Sequence, residues 1–125
     1  MKRRTLISSL FVILGSWIAA PGWADGVIRV VGVETDDVSA YVKQIERGAV
    51  ILERLNSPGT IRVLVAAYAG PNAGNVVVTL EYASMVELAE DEARGLADDG
   101  YVAWLAGLDS IRTITSDSIY RDISP

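Results

Sequence analysis

Four charged side chains and one tyrosine lie in predicted strands, where their spacing could place them on a common surface. Arg62 and Tyr68 are separated by an even number of positions, so they share one face of a strand. Glu81 lies in the next strand, and Arg29 and Arg112 lie in two others. Paired arginines bind a carboxylate or phenolate, and tyrosine beside glutamate can take part in proton transfer. The candidate ligand-binding residues are therefore Arg29, Arg62, Tyr68, Glu81 and Arg112.

The alternative interpretation is that these residues form cross-strand ion pairs at a sheet edge or at the rim of a dimer. We favour this alternative, because alternation shows which residues share a face but not which face lines a pocket. No catalytic residue is assigned from the sequence.

The composition excludes several classes of active site. The chain contains no histidine and no cysteine, which excludes a Ser-His-Asp triad and a zinc or haem site with histidine ligands. No glycine pattern matches a phosphate-binding loop or a dinucleotide fingerprint. The acidic runs at residues 90–92 and 98–99 could be read as calcium ligands, but they lack an EF-hand pattern and are predicted to be solvated. We therefore predict no metal site and no cofactor.

The first 24 residues have the pattern of a secretory signal peptide. A basic start at residues 1–4 precedes an apolar run at residues 6–20, and Gly22 and Ala24 suit signal peptidase. Cleavage is predicted between Ala24 and Asp25. The apolar run is short for a transmembrane anchor, and the Arg-Arg pair resembles a twin-arginine signal only weakly. We expect a periplasmic or secreted protein with no stable membrane anchor after cleavage.

Residues 25–125 form one predicted domain with a strongly acidic balance. The chain has 11 basic and 16 acidic residues, and three of the basic residues precede residue 5. Eight basic residues therefore remain in the domain against all 16 acidic ones. This balance argues against nucleic acid as a partner. So short a chain without disulfides buries a modest share of its surface, so a second subunit would add stability.

Hydrophobic periodicity predicts the element order β-α-β-β-α-β, with strands at residues 26–33, 61–68, 76–82 and 111–120. The first helix begins after the acidic segment 34–37. The second begins at Ser84, which is predicted to form a capping box with Glu87. In this box the Ser84 hydroxyl accepts from the Glu87 N–H, and the Glu87 side chain reaches back to the start of the helix. A further helical segment is predicted around Trp104. In the second helix, the residues predicted to be buried are Val86, Ala89, Ala93, Leu96 and Ala97. Those predicted to face water are Glu87, Glu90, Asp91 and Arg94.

This order defines an α+β, ferredoxin-like sandwich with a four-stranded antiparallel sheet in the order 4-1-3-2. Both helices would cover one face of the sheet. The second and third strands are nevertheless apolar on both faces, which a water-facing sheet would not be. We therefore expect the uncovered faces of two copies to pack together in a homodimer.

The stretch "VVVTLEYASMVELAE" (76–90), followed by "GYVAWLAGLDSI" (100–111), resembles dimeric α/β-barrel proteins. It is most similar to antibiotic-biosynthesis-monooxygenase-like and NIPSNAP-like domains, over about residues 26–121. The resemblance rests on element order and patterning, and it implies a homodimer whose sheets enclose a pocket. Members include cofactor-free oxygenases and haem-degrading enzymes, but the latter generally use a histidine that this chain lacks. No catalytic residue of the family matches a position here.

Two functions remain open. We predict an exported, homodimeric, non-catalytic module that binds a small molecule or a partner. The alternative is a cofactor-free monooxygenase acting on a phenol or quinol. The first is preferred because the chain has no histidine and no matched catalytic residue. Tyr41, Tyr101 and Trp104 could line an aromatic ligand pocket, although their helical spacing favours core or interface packing.

Overall fold

The structure is a computed structural model that describes residues 25–67, 70–72 and 74–125. The proposed signal peptide lies outside these residues, and no helix among them is long and apolar enough to cross a membrane. The elements are β1 (Val27–Glu34), α1 (Val38–Arg54), β2 (Thr60–Val65), a 3-10 turn (Gly70–Asn72), β3 (Val76–Tyr82), α2 (Met85–Leu96), α3 (Asp99–Asp109) and β4 (Thr113–Arg121).

The four strands form one sheet in the order β2-β3-β1-β4, and every neighbouring pair is antiparallel. This is the predicted order read from the opposite edge, and it confirms the ferredoxin-like α+β fold. The predicted extra helical segment is α3, so the observed order is β-α-β-β-α-α-β. The pairing of β1 with β4 shifts between Gly32 and Val33, where β4 carries a bulge.

Side chains and backbone groups at the ends of α1 satisfy its free hydrogen-bonding groups. Asp37 caps the start, because its carboxylate accepts from the Ala40 N–H at 2.9 Å. At the other end Asn56 has a left-handed backbone with φ of 55°. The N–H groups of Asn56 and Ser57 donate back to the carbonyls of Glu53 and Leu52, which is a Schellman motif.

The predicted capping box at the start of α2 is confirmed with a shift of one residue. Ser84 Oγ accepts from the Glu87 N–H at 3.2 Å. The Glu87 carboxylate reaches back to the N–H of Ala83, at 3.1 Å, rather than to that of Ser84. The box therefore joins the end of β3 to the first turn of α2, and it fixes the angle at which the chain leaves the sheet.

The core lies between the three helices and one face of the sheet. Alternate residues of β1 and β3 point toward the helices, and Val31 of β1 pairs with Val78 of β3. Tyr41 of α1 is fully buried in this layer. The buried core cluster consists of Val31, Val33, Tyr41, Ile45, Val76, Val78 and Leu108.

The buried face of α2 differs from the predicted one. Its buried residues are Leu88, Asp91 and Gly95, whereas Leu96 is 46% exposed. The prediction selected apolar residue types, but spacings of three and four from Leu88 place Asp91 and Gly95 on the same inner stripe. The expectation that Asp91 faces water was therefore wrong.

The second face of the sheet is covered by no helix or strand of the described residues. Alternation and register place on it Ile28, Val30 and Val77, together with Leu64 and Tyr120, which are 51% and 59% exposed. This half-apolar surface, which we call the open face, agrees with the two-sided apolar pattern of the sequence.

Candidate functional site

A cleft of about 100 Å³ lies between the helix-covered side of the sheet and the helices. Its lining is mainly apolar and comes from β1, β2, β3, β4 and all three helices. Three aromatic rings and five charged side chains are part of the wall: Tyr82, Tyr101, Trp104, Arg29, Arg112, Asp91, Glu92 and Asp117.

Two of the predicted aromatic candidates form one wall of the cleft. The rings of Tyr101 and Trp104 meet at a centroid distance of 5.6 Å and an angle of 49°, a tilted contact of the kind that aromatic pairs prefer. The Trp104 indole N–H donates to the carbonyl of Gln44 at 2.7 Å, which fixes this ring against α1. Tyr41, the third aromatic candidate, packs in the core instead.

Arg29 lies at the polar end of the cleft and forms a bidentate ion pair. Its Nε and Nη2 donate to the two carboxylate oxygens of Asp117 on β4, at 2.9 and 2.6 Å. Glu92 of α2 lies 3.8 Å from the same guanidinium. The hydrogen bond to Arg29 lowers the pKa of Asp117, and the same bond raises the pKa of Arg29. Arg29 is therefore already occupied by two carboxylates.

Arg112 precedes β4 by one residue and is the most buried arginine for which an ion pair is seen, with its side chain 10% exposed. Its Nη1 donates to the hydroxyl of Tyr41 at 3.1 Å, and its Nη2 reaches the exposed carboxylate of Asp109 at 3.4 Å. Its Nε is buried and has no hydrogen-bond partner in the described part of the chain. Buried donors are almost always satisfied, so this unpartnered N–H is an exception among the described residues.

Asp91 forms a buried network that the sequence interpretation missed. Its side chain accepts from the hydroxyls of Tyr82 and Ser57, both at 2.6 Å, and from Arg94 at 3.1 Å. Burial, followed by the hydrogen bond to Asp91, raises the pKa of Tyr82 well above its usual range. The network joins α2, β3 and the loop before β2. The three- and four-residue spacing from Leu88 to Gly95 was the available signal for it.

The charged residues at the polar end of the cleft also affect the pKa of Tyr101. Its burial raises the pKa of the phenol, and the negative charge of Glu92 adds to that effect. The positive charges of Arg29 and Arg112 oppose it. The Tyr101 hydroxyl is thus neutral at ordinary pH and is influenced by charges on α2, on β1 and on Arg112.

The predicted ligand-binding residues do not come together in one place. Arg29 and Arg112 border the cleft. Arg62 and Glu81 lie on the open face, on the other side of the sheet, where Arg62 Nε is 3.3 Å from the Glu81 carboxylate. Tyr68 lies outside the described residues. The Arg62–Glu81 and Arg29–Asp117 contacts are cross-strand ion pairs of the kind that the alternative interpretation expected.

Within residues 25–67, 70–72 and 74–125 there is no group of three or more acidic side chains arranged to hold a metal ion. The acidic residues of α2 instead serve different neighbours, Asp91 inside the fold and Glu92 near Arg29.

Comparisons with known proteins extend these observations. No protein-family model matches the chain, and curated protein sequences give no match either. Among solved structures, a variant of SnoaB, a cofactor-independent oxygenase from Streptomyces nogalater, superposes with a TM-score of 0.61 at 14% identity, over 82% of this chain and 97% of SnoaB. The chain has the same fold.

NIPSNAP proteins have this fold as well. A NIPSNAP family protein of unknown function from Agrobacterium tumefaciens matches with a TM-score of 0.61 at 17% identity, over 85% of this chain and 96% of that protein. An uncharacterised NIPSNAP-like domain protein from Burkholderia xenovorans gives 0.57 at 13% identity, over 82% and 90%. The resemblance predicted from the sequence is confirmed at the level of the ferredoxin-like fold.

Proposed function

We propose that the cleft binds a small single-ring molecule carrying an acceptor oxygen, and that the protein is a non-catalytic binding module. The observation that carries this proposal is the buried, unpartnered Nε–H of Arg112 beside an apolar cleft with aromatic walls. A cavity of about 150 Å³ accommodates benzene, whereas drug-sized ligands occupy about 300–1,000 Å³. At about 100 Å³ the cleft is below both figures, so one small ring is the upper limit of what it can hold.

The arrangement of charges favours a neutral ligand. Each of the two charged pairs nearest the apolar wall is already formed, Arg29 with Asp117 and Asp91 with Arg94. Glu92 adds a further carboxylate to the lining. A ring stacked near Trp104 would bring one oxygen to Arg112 without placing an additional negative charge among these carboxylates.

Binding of phenol tests this proposal. In the NMR spectrum of the purified protein, the indole N–H resonance that is missing from the Trp104→Phe variant belongs to Trp104. This resonance reports on the cleft. Phenol should shift this signal with a Kd on the order of 1 mM, about −4 kcal/mol. Toluene, which has the ring without the oxygen, should bind several-fold more weakly because Arg112 Nε gains no acceptor. Absence of any phenol-dependent shift would refute a ligand role for the cleft.

The second candidate is a cofactor-free monooxygenase acting on a phenol or quinol. It is supported by the fold shared with SnoaB and by two arginines bordering the cleft, which would stabilise a substrate anion. In such a reaction the substrate anion reduces O2; one oxygen atom becomes a ring carbonyl and the other leaves as water, with both hydrogens from the substrate. Oxygen uptake with hydroquinones separates the candidates. We expect none; uptake that is lost in Arg112→Lys would establish the enzyme instead.

We also propose that the protein is a homodimer whose open faces pack together. The support is the half-apolar open face, with Leu64 and Tyr120 more than half exposed. Native mass spectrometry should give a dimer, and Val77→Lys should convert it to a monomer because it places a charge at the centre of that face. Val50→Lys, on the exposed side of α1, is the matched control and should leave the dimer intact. A monomeric unmodified protein would refute the proposal.

Export through the signal peptide is proposed from residues 1–24 alone. The intact mass of the protein recovered from the periplasm or medium should correspond to a chain beginning at Asp25. A cell-associated chain that keeps residues 1–24 would contradict it.

A further inference from the structure

Each aromatic ring of the cleft wall lies against a glycine of another segment. A Cβ added at Gly59 or Gly95 would come within 2.8 Å of the facing ring, and one at Gly48 would come closer still. Real Cβ atoms do not approach ring atoms this closely. The three rings can therefore occupy these positions only because each facing residue is a glycine, which has no Cβ. The contacts are Gly48 with Trp104, Gly59 with Tyr82, and Gly95 with Tyr101.

Two of these rings are also held by hydrogen bonds. The Trp104 N–H donates to a carbonyl of α1, and the Tyr82 hydroxyl donates to the buried carboxylate of Asp91. The Tyr101 side chain makes no hydrogen bond within the described residues; the influences on its hydroxyl are burial and neighbouring charges. Its backbone N–H, in contrast, is fixed by the cap residue Asp98 at 2.9 Å. Tyr101 therefore has a fixed backbone and a ring held only by packing.

The Tyr101 ring lies in the wall of the cleft, so a change in its position changes the space inside the cleft. The ring is partly exposed, touches Trp104 and lies near Glu92 and Arg29 at the polar end. Displacement of the Tyr101 ring from Gly95 would break no side-chain hydrogen bond within the described residues. The other two rings cannot be displaced without losing one.

We propose that Tyr101, seated against Gly95, sets the upper size limit for the ligand, so that single-ring molecules enter the cleft and fused two-ring molecules do not. The inference rests on the proposed function, because it specifies the ligand class of the same cleft. Removing the ring enlarges the cleft on that side. Adding a methyl group at Gly95 pushes the ring away from α2 and toward the cleft that it lines.

The test compares phenol with 2-naphthol, followed by the Trp104 indole signal. The unmodified protein should bind 2-naphthol at least about tenfold more weakly than phenol, as expected when a pocket lacks room for the added atoms. Tyr101→Ala should remove that difference. Gly95→Ala should weaken phenol binding severalfold, and the double variant Gly95→Ala/Tyr101→Ala should restore it, because the displaced ring is no longer present. Val102→Ala, an exposed neighbour on α3, should change neither ligand's affinity.

The outcomes separate this inference from the proposed function. Phenol and 2-naphthol binding equally well to the unmodified protein, or a selectivity unchanged in Tyr101→Ala, would overturn the size limit while leaving the cleft as a ligand site. Weak phenol binding by Gly95→Ala that persists in the double variant would show that Gly95 acts by another route and would overturn the role of the contact. No binding of phenol to the unmodified protein would overturn both.

Discussion

Replacing Tyr82 by phenylalanine removes one hydroxyl from the buried network around Asp91 and leaves the ring in place. The lost interaction is a 2.6 Å hydrogen bond to a carboxylate whose residue is 5% exposed. A hydrogen bond to a charged group contributes about 1.5–3 kcal/mol. Ser57 and Arg94 still donate to Asp91. We therefore expect a loss of about 2 kcal/mol, a large part of the 5–15 kcal/mol typical of a small domain.

Urea unfolding at pH 7, followed by far-ultraviolet circular dichroism at fixed protein concentration, measures this loss. The midpoint should fall while the slope of free energy against urea stays constant, since the exposed surface is unchanged. Tyr82→Phe and its matched control Tyr120→Phe are both made in the Val77→Lys background, which is expected to be monomeric, because Tyr120 lies on the open face that the proposed dimer covers. In the monomer this tyrosine is 59% exposed and undergoes the same chemical change. The control substitution should change the free energy of unfolding by less than about 0.5 kcal/mol.

Equal effects of the two substitutions would refute the reasoning, since the Tyr82 hydroxyl would then contribute no more than an exposed one. A double-mutant cycle with Asp91→Asn refines the result. If the hydroxyl acts through the carboxylate, the two changes should be non-additive by about 1 kcal/mol or more. Additivity would mean that Tyr82 contributes through some other contact.

Three further predictions concern glycine contacts and pH. Gly48→Ala should lower the free energy of unfolding by about 1–3 kcal/mol, because its Cβ would overlap the indole ring of Trp104. Gly107→Ala, with open space around the added Cβ, should raise the free energy of unfolding by up to about 1 kcal/mol. Thermal unfolding measures both. Because Arg29 lowers the pKa of Asp117, their pair stabilises the fold above about pH 4 and this contribution is lost as the pH falls. Asp117→Asn should therefore cost at most ~1 kcal/mol at pH 7, given that the side chain is 38% exposed, and nothing near pH 2 by urea unfolding. Because the pKa of Tyr82 is raised in the folded state, the free energy of unfolding should fall as the pH rises above about 10. The fall should be smaller in Tyr82→Phe. An equal fall in both proteins would show that Tyr82 is not the group that titrates.

Much of the fold follows from local signals in the sequence. Serine at position 84 with glutamate three residues later, and the acidic segment 34–37, marked helix starts that the structure confirms. Alternating β-branched residues marked the strands, and the right-handed crossover rule was enough to order them. These features could be predicted because each depends on residues within one turn, or on chirality that every L-peptide shares.

The candidate site could be predicted only in part. Sequence placed Arg29 and Arg62 in strands, but the side of the sheet that each occupies depends on which face the helices cover. That choice separates them: Arg29 borders the cleft, whereas Arg62 pairs with Glu81 on the open face. Alternation specifies relative orientation within a strand and carries no information about the layer packed against it.

By itself, then, the sequence determined the element order, the helix caps and the acidic, histidine-free chemistry of the chain. Only the tertiary structure decided which groups Asp91 binds, because its donors Ser57 and Tyr82 lie 34 and 9 positions away and meet it only when α2 packs on the sheet. Arg112 is a similar case, since its Nε becomes a buried unpaired donor only after Tyr41 and Asp109 have taken its other nitrogens. The spacing within α2 could place Asp91 on the inner stripe, but hydrogen bonding between distant segments is a property of packing, so the spacing could not identify the partners.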